Sequence, residues 1–526
     1  MNVHRPCVLI ILDGWGIAAP TRANAITTAK TPFFDSLVDR YPTAVLQASG
    51  EAAGLPWSEV GNSEVGHMSI GSGRIVYQDL SRINKSIADL SFFSNETILA
   101  AVHHARTKGS ALHLIGNAST GGVHSHIEHL FALCEIARTS GLPNVFLHLF
   151  LDGRDAQYAS GLGFIRSTLE HIAGTAIRIA SLSGRQFAMD RDNHWERTEK
   201  AYRAIAEGSD QRSRDPVAAI EQSYALGVYD EEFIPTTIVD DKGPIGLVHD
   251  NDALIFFNIR SDRVRQISRC FFNGSFDRFQ RQLPSGLSIT TLTEYDPSND
   301  ASVAFPPQQI VNGLAECVSA QGKRQLHIAE TEKYAHITYF LNTGREEMYP
   351  GEERVMIPSP HVDSYADKPE MSAVEITDGV LRAIEKEVYD LITINFANAD
   401  MVGHTGNLKA TQLAIETLDR CLKRIVPAVL SKGGCVCITA DHGNAEELLD
   451  LHTGQIDKEH SNNPVPCIII APEVEGRSLN VQDVGNKDLH IVEAHGMLAD
   501  VTPTLLPFMG IPQPVEMTGR DLLAML

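Results

Sequence analysis

Two short segments of this chain carry the mixture of oxygen and nitrogen donors that divalent metals take. Asp400-Met401-Val402-Gly403-His404 puts a carboxylate and an imidazole four positions apart, and Asp441-His442 supplies an adjacent pair. Both mixtures suit ions of the manganese, cobalt or zinc type. His460 follows on a loop closed by Pro464, and Asp13 ends the first apolar run of the chain. Taken singly, an aspartate or histidine at a strand end is more often a cap or a satisfied structural residue. Taken together, Asp13, Asp400, His404, Asp441, His442 and His460 resist that explanation, because uncompensated carboxylates near buried strand ends are costly. A two-metal site is the expectation. Ser63, in the turn Gly61-Asn62-Ser63 that leads into helix, is a poor nucleophile unless a base or a metal activates it. Read alone, that motif fits an N-cap serine equally well.

A second set of residues is cationic. Arg154, Arg185, Arg191, Arg260 and Arg263 fall at or near the ends of apolar runs, and Lys333 stands further along the chain. Guanidinium forks match phosphate and carboxylate oxygens bidentately, so several converging on one cleft would bind a small dianion. Any one arginine alone fits a solvated, salt-bridged face better. The placement of Arg260-Ser261-Asp262-Arg263 directly after Ile255-Phe256-Phe257-Asn258-Ile259 favours function for that group. His124 and Asp155 are candidate acid or base groups beside these cations. His126 and His129 fit the helix that follows, and Gly71-Ser72-Gly73 is too short to be read as a phosphate loop.

The elements that must position these groups are short apolar runs alternating with helical stretches. Val8–Leu12, Leu112–Ile115, Val145–Leu151, Ile177–Ala180, Leu254–Ile259, Leu391–Phe396 and Cys435–Ala440 read as buried strands of parallel sheets. Such sheets bind ligands beyond the carboxyl ends of their strands, which is where the reactive residues fall. The fold class expected is therefore α/β, with two domains that are each a mainly parallel sheet flanked by helices. If Asp13 and Asp441 share one site, residues 1–77 and 310–526 form one discontinuous domain and residues 78–309 an insertion within it, with linkers near Tyr77 and Pro306.

A chain of 526 residues with 43% hydrophobic content can bury more than one core. Its formal net charge of −22 disfavours a nucleic-acid or anionic-membrane partner. The eight cysteines are scattered without zinc-type spacing, and Cys435 and Cys437, at alternate strand positions, read as a buried reduced pair. The first apolar run is too short for a signal sequence, and no segment approaches the roughly 20 apolar residues of a membrane span. A soluble cytoplasmic protein is the expectation.

Longer motifs then carry a resemblance. They are Leu12-Asp13-Gly14-Trp15-Gly16, Gly61-Asn62-Ser63-Glu64-Val65-Gly66-His67, Gly122-Val123-His124-Ser125-His126 and Asp152-Gly153-Arg154-Asp155. Met189-Asp190-Arg191-Asp192 and Glu330-Thr331-Glu332-Lys333 follow, then Asp400 to Gly406, Ala440-Asp441-His442-Gly443-Asn444, and His460 with Asn463-Pro464. Through these the chain resembles, over essentially its whole length, the cofactor-independent phosphoglycerate mutases, metal enzymes of the alkaline phosphatase superfamily.

The resemblance implies a phosphatase-like metal domain and an inserted phosphotransferase domain that binds substrate. It implies two manganese ions, with magnesium or cobalt as alternatives, and no 2,3-bisphosphoglycerate. One ion would be held by Asp13, Ser63, Asp441 and His442, the other by Asp400, His404 and His460. Ser63 would take the phosphoryl group of 3-phosphoglycerate and return it to the other hydroxyl to give 2-phosphoglycerate. His124, Arg154, Asp155, Arg185, Arg191, Arg260, Arg263 and Lys333 match substrate-binding positions, with Asp155 as acid/base and Lys333 stabilising phosphoryl charge. Members are mostly monomers, which is the state expected here. His194, Ser69 and Asn462 depart from the family pattern, and none of them removes a proposed ligand. A phosphatase or phosphopentomutase with the same metal site is the rival chemistry. A non-catalytic metal- or phosphate-binding regulator is the rival class, against which the intact Ser63 motif stands.

Overall fold

The structure, a computed structural model, describes residues 3–272, 276–451, 453–479 and 488–525. The chain divides into two compact units, one made of Met1–Gln78 and Gln309–Leu526, the other of Asp79–Gln308. Each is a mainly parallel sheet flanked by helices, so the protein is α/β.

In the discontinuous unit eight strands lie in the spatial order Glu352–Ile357, Gln325–Glu330, Leu391–Phe396, Cys7–Leu12, Cys435–Thr439, Val465–Ile470, Thr43–Gln47 and Gly496–Met497. Cys7–Leu12 lies at the centre, its residues paired in parallel register from Cys7 opposite Leu391 to Leu12 opposite Phe396, and on the other side with Cys435–Thr439. Val465–Ile470 alone runs against its neighbours. That reversal brings the loop before it, with His460, to the edge where the parallel strands end. The central strands are buried on both faces, which is why they read as unbroken apolar runs. The Leu408–Ser431 helix covers one face with Ile415, Leu418, Leu422 and Ile425.

In the other unit the order is Ser302–Val303, Ser288–Thr291, Ala253–Phe256, Leu112–Ala118, Val145–Leu151, Ile177–Gly184, Thr236–Asp240 and Gln211–Ser213, with Gly243–Pro244 turning back on Thr236–Asp240. Alternation along Ala253–Phe256 serves two cores: Ala253 and Ile255 join one cluster, Leu254 and Phe256 the other. The expected strands are all present, but their ends differ. The Ile177 strand continues through Leu182 to Gly184, because the small Ser181 and Ser183 are buried and pair with the neighbouring strand. The Leu254 run stops at Phe256, since Asn258 turns its side chain to cap the backbone N–H of Asn117.

All eight cysteines are free and buried, and Cys437 Sγ lies 3.6 Å from Cys467 Sγ on the adjacent strand. Among the described residues no helix is long and apolar enough to cross a membrane.

Candidate active site

Four neighbouring parallel strands of the discontinuous unit end in the candidate metal and nucleophile groups. Asp13 follows Leu12 directly, Asp441 and His442 follow the Cys435–Thr439 strand, Asp400 sits on the short Asn398–Gly403 helix after Phe396, and Lys333 sits on Thr331–Ala335 after Glu330. Ser63 opens the helix Ser63–Ser72. It is the first helical residue, and the N-cap is Asn62, whose side chain accepts from the Val65 N–H. Gly66, one turn on, lets the helix lie against the next strand end, because a Cβ there would come within 2.5 Å of the Asp441 carbonyl oxygen.

The side chains converge. Lys333 Nζ donates to Asp13 Oδ1 at 2.6 Å, to Asp400 Oδ2 at 2.7 Å and to Ser63 Oγ at 2.8 Å. The Ser63 hydroxyl has two acceptors for its own proton, His442 Nε2 at 2.9 Å and Asp13 Oδ1 at 3.3 Å. Asp13, Asp400, Asp441, His442 and Lys333 are all buried. Burial alone would lower the Lys333 ammonium, but Asp13, Asp400 and Asp441 outweigh it and hold it above its ordinary value. Burial beside Asp441 and Asp400 raises the Asp13 carboxyl. For Asp441 and Asp400 burial is overcome, by His442, His67 and Lys333 for the first and chiefly by Lys333 for the second, and both are lowered.

These residues fit divalent ions. Three buried carboxylates share one ammonium, and among the described residues Asp441 Oδ2 faces only imidazoles, His67 Nδ1 at 3.2 Å and His442 Nε2 at 3.5 Å, an arrangement that calls for further positive charge. His404 and His460 direct Nδ1 to the carbonyls of Lys458 and Gly61, at 2.6 and 2.8 Å. Their Nε2 atoms face each other at 3.1 Å, with Asp400 Oδ1 within 3.3 Å of both. A backbone acceptor on one ring nitrogen and a free lone pair on the other is the usual preparation of a metal-ligating histidine. Asp400, His442 and His460 present donor atoms within 4.8 Å of one another, as do Asp13, His67 and Asp441. Both nitrogens of His67 are engaged: Nδ1 with the Ser63 carbonyl at 2.8 Å, and Nε2 with Asn395 Nδ2 at 2.9 Å. His67 therefore orients the serine turn.

In the Asp79–Gln308 unit the second set also gathers at the carboxyl ends of the strands. Arg185 Nη1 bonds Asp152 and, at 2.7 Å, Asp155 Oδ2. Arg191 and Arg260 share Asp262, at 2.6 and 3.1 Å, and Arg154 reaches Glu231 at 2.6 Å. His124 lies between Asp155, 3.8 Å from one ring nitrogen, and Asp262, 3.6 Å from the other. Burial, with Arg185 beside it, lowers His124 to about 4, so at neutral pH it is uncharged. Arg263 is lowered by burial and by the nearby charges of Arg185, Arg191 and Arg154, so the guanidinium groups crowd one another. Lys333 belongs to the other unit and makes its contacts there.

Several residues of both sets had no role assigned from the sequence, although Asp152 and Asn444 stand in the longer motifs. Asp152 and Asp262 fix arginines, Asn395 Nδ2 holds Asp13 Oδ2 at 2.8 Å, and Asn444 Nδ2 holds Asp400 Oδ1 at 2.9 Å. Asp262 lies within the Arg260–Arg263 segment, a signal that was available. Of the departures from the family pattern, His194 Nδ1 bonds Asp190 at 3.0 Å, Asn462 offers its carbonyl to Ser49 at 3.1 Å, and nothing in the structure explains Ser69.

Comparison with known proteins adds relatives to this geometry. Residues 5–513 match the model of the metalloenzyme superfamily. The chain is 47% identical to the 2,3-bisphosphoglycerate-independent phosphoglycerate mutase of Clostridium beijerinckii, covering 99% of both chains. It is equally 47% identical to that of Moorella thermoacetica, again over 99% of both, and to that of Desulforudis audaxviator over 100% of both. Among solved structures, Leishmania mexicana phosphoglycerate mutase at low cobalt concentration matches with a TM-score of 0.56 and 30% identity, covering 99% of this chain and 98% of that one.

Proposed function

We propose, from the premise that the chain belongs to the 2,3-bisphosphoglycerate-independent phosphoglycerate mutase family, that it interconverts 3-phosphoglycerate and 2-phosphoglycerate through a phosphoserine on Ser63. It is accordingly an isomerase. The reading requires two divalent ions and no 2,3-bisphosphoglycerate. Asp13, Ser63, Asp441 and His442 would hold one ion and Asp400, His404 and His460 the other, and manganese, or magnesium or cobalt, would supply Lewis acidity and an activated serine.

Ser63 Oγ gives up its proton to Asp13 Oδ1, 3.3 Å away, and forms a bond to phosphorus as the bond from phosphorus to the glycerate oxygen breaks; the proton returns to Oγ when the phosphoryl group leaves it. Lys333 offsets the charge on the phosphoryl oxygens, and the N–H groups at the start of the Ser63–Ser72 helix favour an anion there. Asp155 protonates the departing glycerate oxygen and takes the proton from the second hydroxyl for the return step, in which Ser63 Oγ is the leaving group. The arginine set, with uncharged His124 as a hydrogen-bonding partner, binds the glycerate substrate. Water must be kept from the phosphoserine, or the enzyme becomes a phosphatase. The same reading makes the protein a cytoplasmic monomer without a nucleic-acid partner.

The observation that carries this reading is the environment of Ser63: a buried hydroxyl at a helix start, 2.9 Å from His442 Nε2 and 2.8 Å from Lys333 Nζ. The test is an acid quench of manganese-loaded protein during turnover of 3-phosphoglycerate, followed by peptide mass analysis. A phosphoryl group on the peptide carrying Ser63, lost along with turnover in Ser63→Ala that still binds manganese, is the expected result. Turnover retained by Ser63→Ala would overturn the assignment.

A further inference from the structure

Glu446 is buried, and neither the sequence motifs nor the reaction uses it. Each of its carboxylate oxygens accepts two hydrogen bonds. Oε2 takes the backbone N–H of Gly16 at 3.1 Å and of Asn444 at 2.8 Å. Oε1 takes the Ser461 hydroxyl and Asn463 Nδ2, the latter at 3.0 Å.

These donors belong to three loops. One is the Gly14–Gly16 turn after Asp13, the second the Gly443–Asn444 turn after Asp441 and His442, and the third Ser461–Asn463 after His460. Main-chain bonds join the same loops, from Asn444 N to the Gly14 carbonyl at 3.1 Å and from Ser461 N to the Gly443 carbonyl at 3.0 Å. Two glycines make room for the carboxylate. A Cβ on Gly16 would lie 2.2 Å from Glu446 Cδ, and one on Gly443 would lie 2.3 Å from Oε1. The close approach, with no left-handed backbone at either position, accounts for glycine there.

We propose that Glu446 is a positioning residue whose carboxylate fixes the mutual placement of the loops bearing Asp13, Asp441, His442 and His460, and so sets the affinity of the metal centre. This rests on the metal-centre reading given above. Outer partners of ligand loops typically contribute 10–100-fold in metal affinity. The chemistry of the four donors separates hydrogen bonding from charge. The two backbone N–H groups cannot be reversed, whereas the Ser461 hydroxyl can turn to accept, and Asn463 Nδ2 has a second acceptor in Glu447 Oε2 at 3.0 Å. Glu446→Gln can therefore keep an oxygen toward Gly16 and Asn444 and present its NH2 to the Ser461 hydroxyl, while Asn463 stays held by Glu447. Glu446→Ala removes an acceptor from all four donors: the Gly16 N–H and the Ser461 hydroxyl are left unmet, while the Asn444 N–H keeps the Gly14 carbonyl and Asn463 Nδ2 keeps Glu447 Oε2.

The test is the Mn2+ dissociation constant by competition with a fluorescent chelator, measured on the full-length wild type, Glu446→Gln and Glu446→Ala, with the KM for 3-phosphoglycerate at saturating Mn2+. Weakening of Mn2+ binding by roughly 10–100-fold in Glu446→Ala, recovery to within about threefold in Glu446→Gln, and an unchanged KM are expected. Asn463→Ala, at a partly exposed position, loses one of the four donors and should weaken Mn2+ several-fold, so the proposal is tested even if Glu446→Ala does not fold. Wild-type affinity in Glu446→Ala or in Asn463→Ala, or a Glu446→Gln as weak as Glu446→Ala, would overturn it. A wild type that binds no Mn2+ would instead overturn the metal-centre reading itself.

Discussion

At the residue scale the centre of the discontinuous unit is an electrostatic knot with one ammonium among three buried carboxylates. Removing one partner of a buried ion pair costs more than the pair is worth, because the other charge stays behind unpaired. Lys333→Met should therefore destabilise the metal-free protein by about 3–5 kcal/mol. Urea unfolding in the presence of chelator measures this, and a change below about 1 kcal/mol would show that Asp13 and Asp400 are compensated by some other group. The principal residues of this knot were legible in the sequence because carboxylates and imidazoles stood directly at the ends of apolar runs. Asn395 and Glu446 were not, and His67 and Asn444 stood in recognised motifs without a role, because what these four do lies in contacts between distant segments. Glu446 meets Gly16 across 430 positions, a relation no local spacing records.

At the element scale the strands that lead into the site were legible because β-branched, both-faces-buried runs have few alternatives. Gln325–Glu330 was not, although it too is buried throughout. Its Gln325 and His327 break the apolar pattern and are satisfied internally, His327 Nδ1 by the Ile337 carbonyl and Nε2 by Gln325. A comparable buried imidazole joins two helices of the other unit: His129, on Ile127–Thr139, bonds Asn84 Oδ1 on Asp79–Ala88 at 2.8 Å. Burial lowers it from 6.5 to about 3. The unfolded chain thus binds a proton that the folded chain refuses. The stability involved is fully present above pH 6.5 and is lost as pH falls toward 3. Glu or Asp substitution would introduce a new charge, whereas His129→Gln keeps an amide donor for Asn84. It should lower the slope of unfolding free energy between pH 6 and 4 by up to about 1.4 kcal/mol per pH unit. Urea titrations at several pH values test this, and an unaltered slope would mean that His129 is not the group responsible.

At the scale of the whole molecule each unit carries its own set of functional groups, so damage to one set should leave the chemistry of the other measurable. Arg260→Ala combined with Arg263→Ala removes two cations from the substrate set and leaves the metal ligands untouched. Charge-assisted hydrogen bonds contribute about 1.5–3 kcal/mol each, so KM for 3-phosphoglycerate should rise at least 10-fold while Mn2+ affinity stays at the wild-type value. An unchanged KM would remove these arginines from the substrate site. The measurement that bears most directly on the mutase reading starts from metal-stripped protein given Mn2+ and 3-phosphoglycerate, with no 2,3-bisphosphoglycerate, and follows 2-phosphoglycerate and free phosphate together. Metal-dependent appearance of 2-phosphoglycerate without matching phosphate is the predicted result, whereas phosphate alone, or neither product, would contradict it.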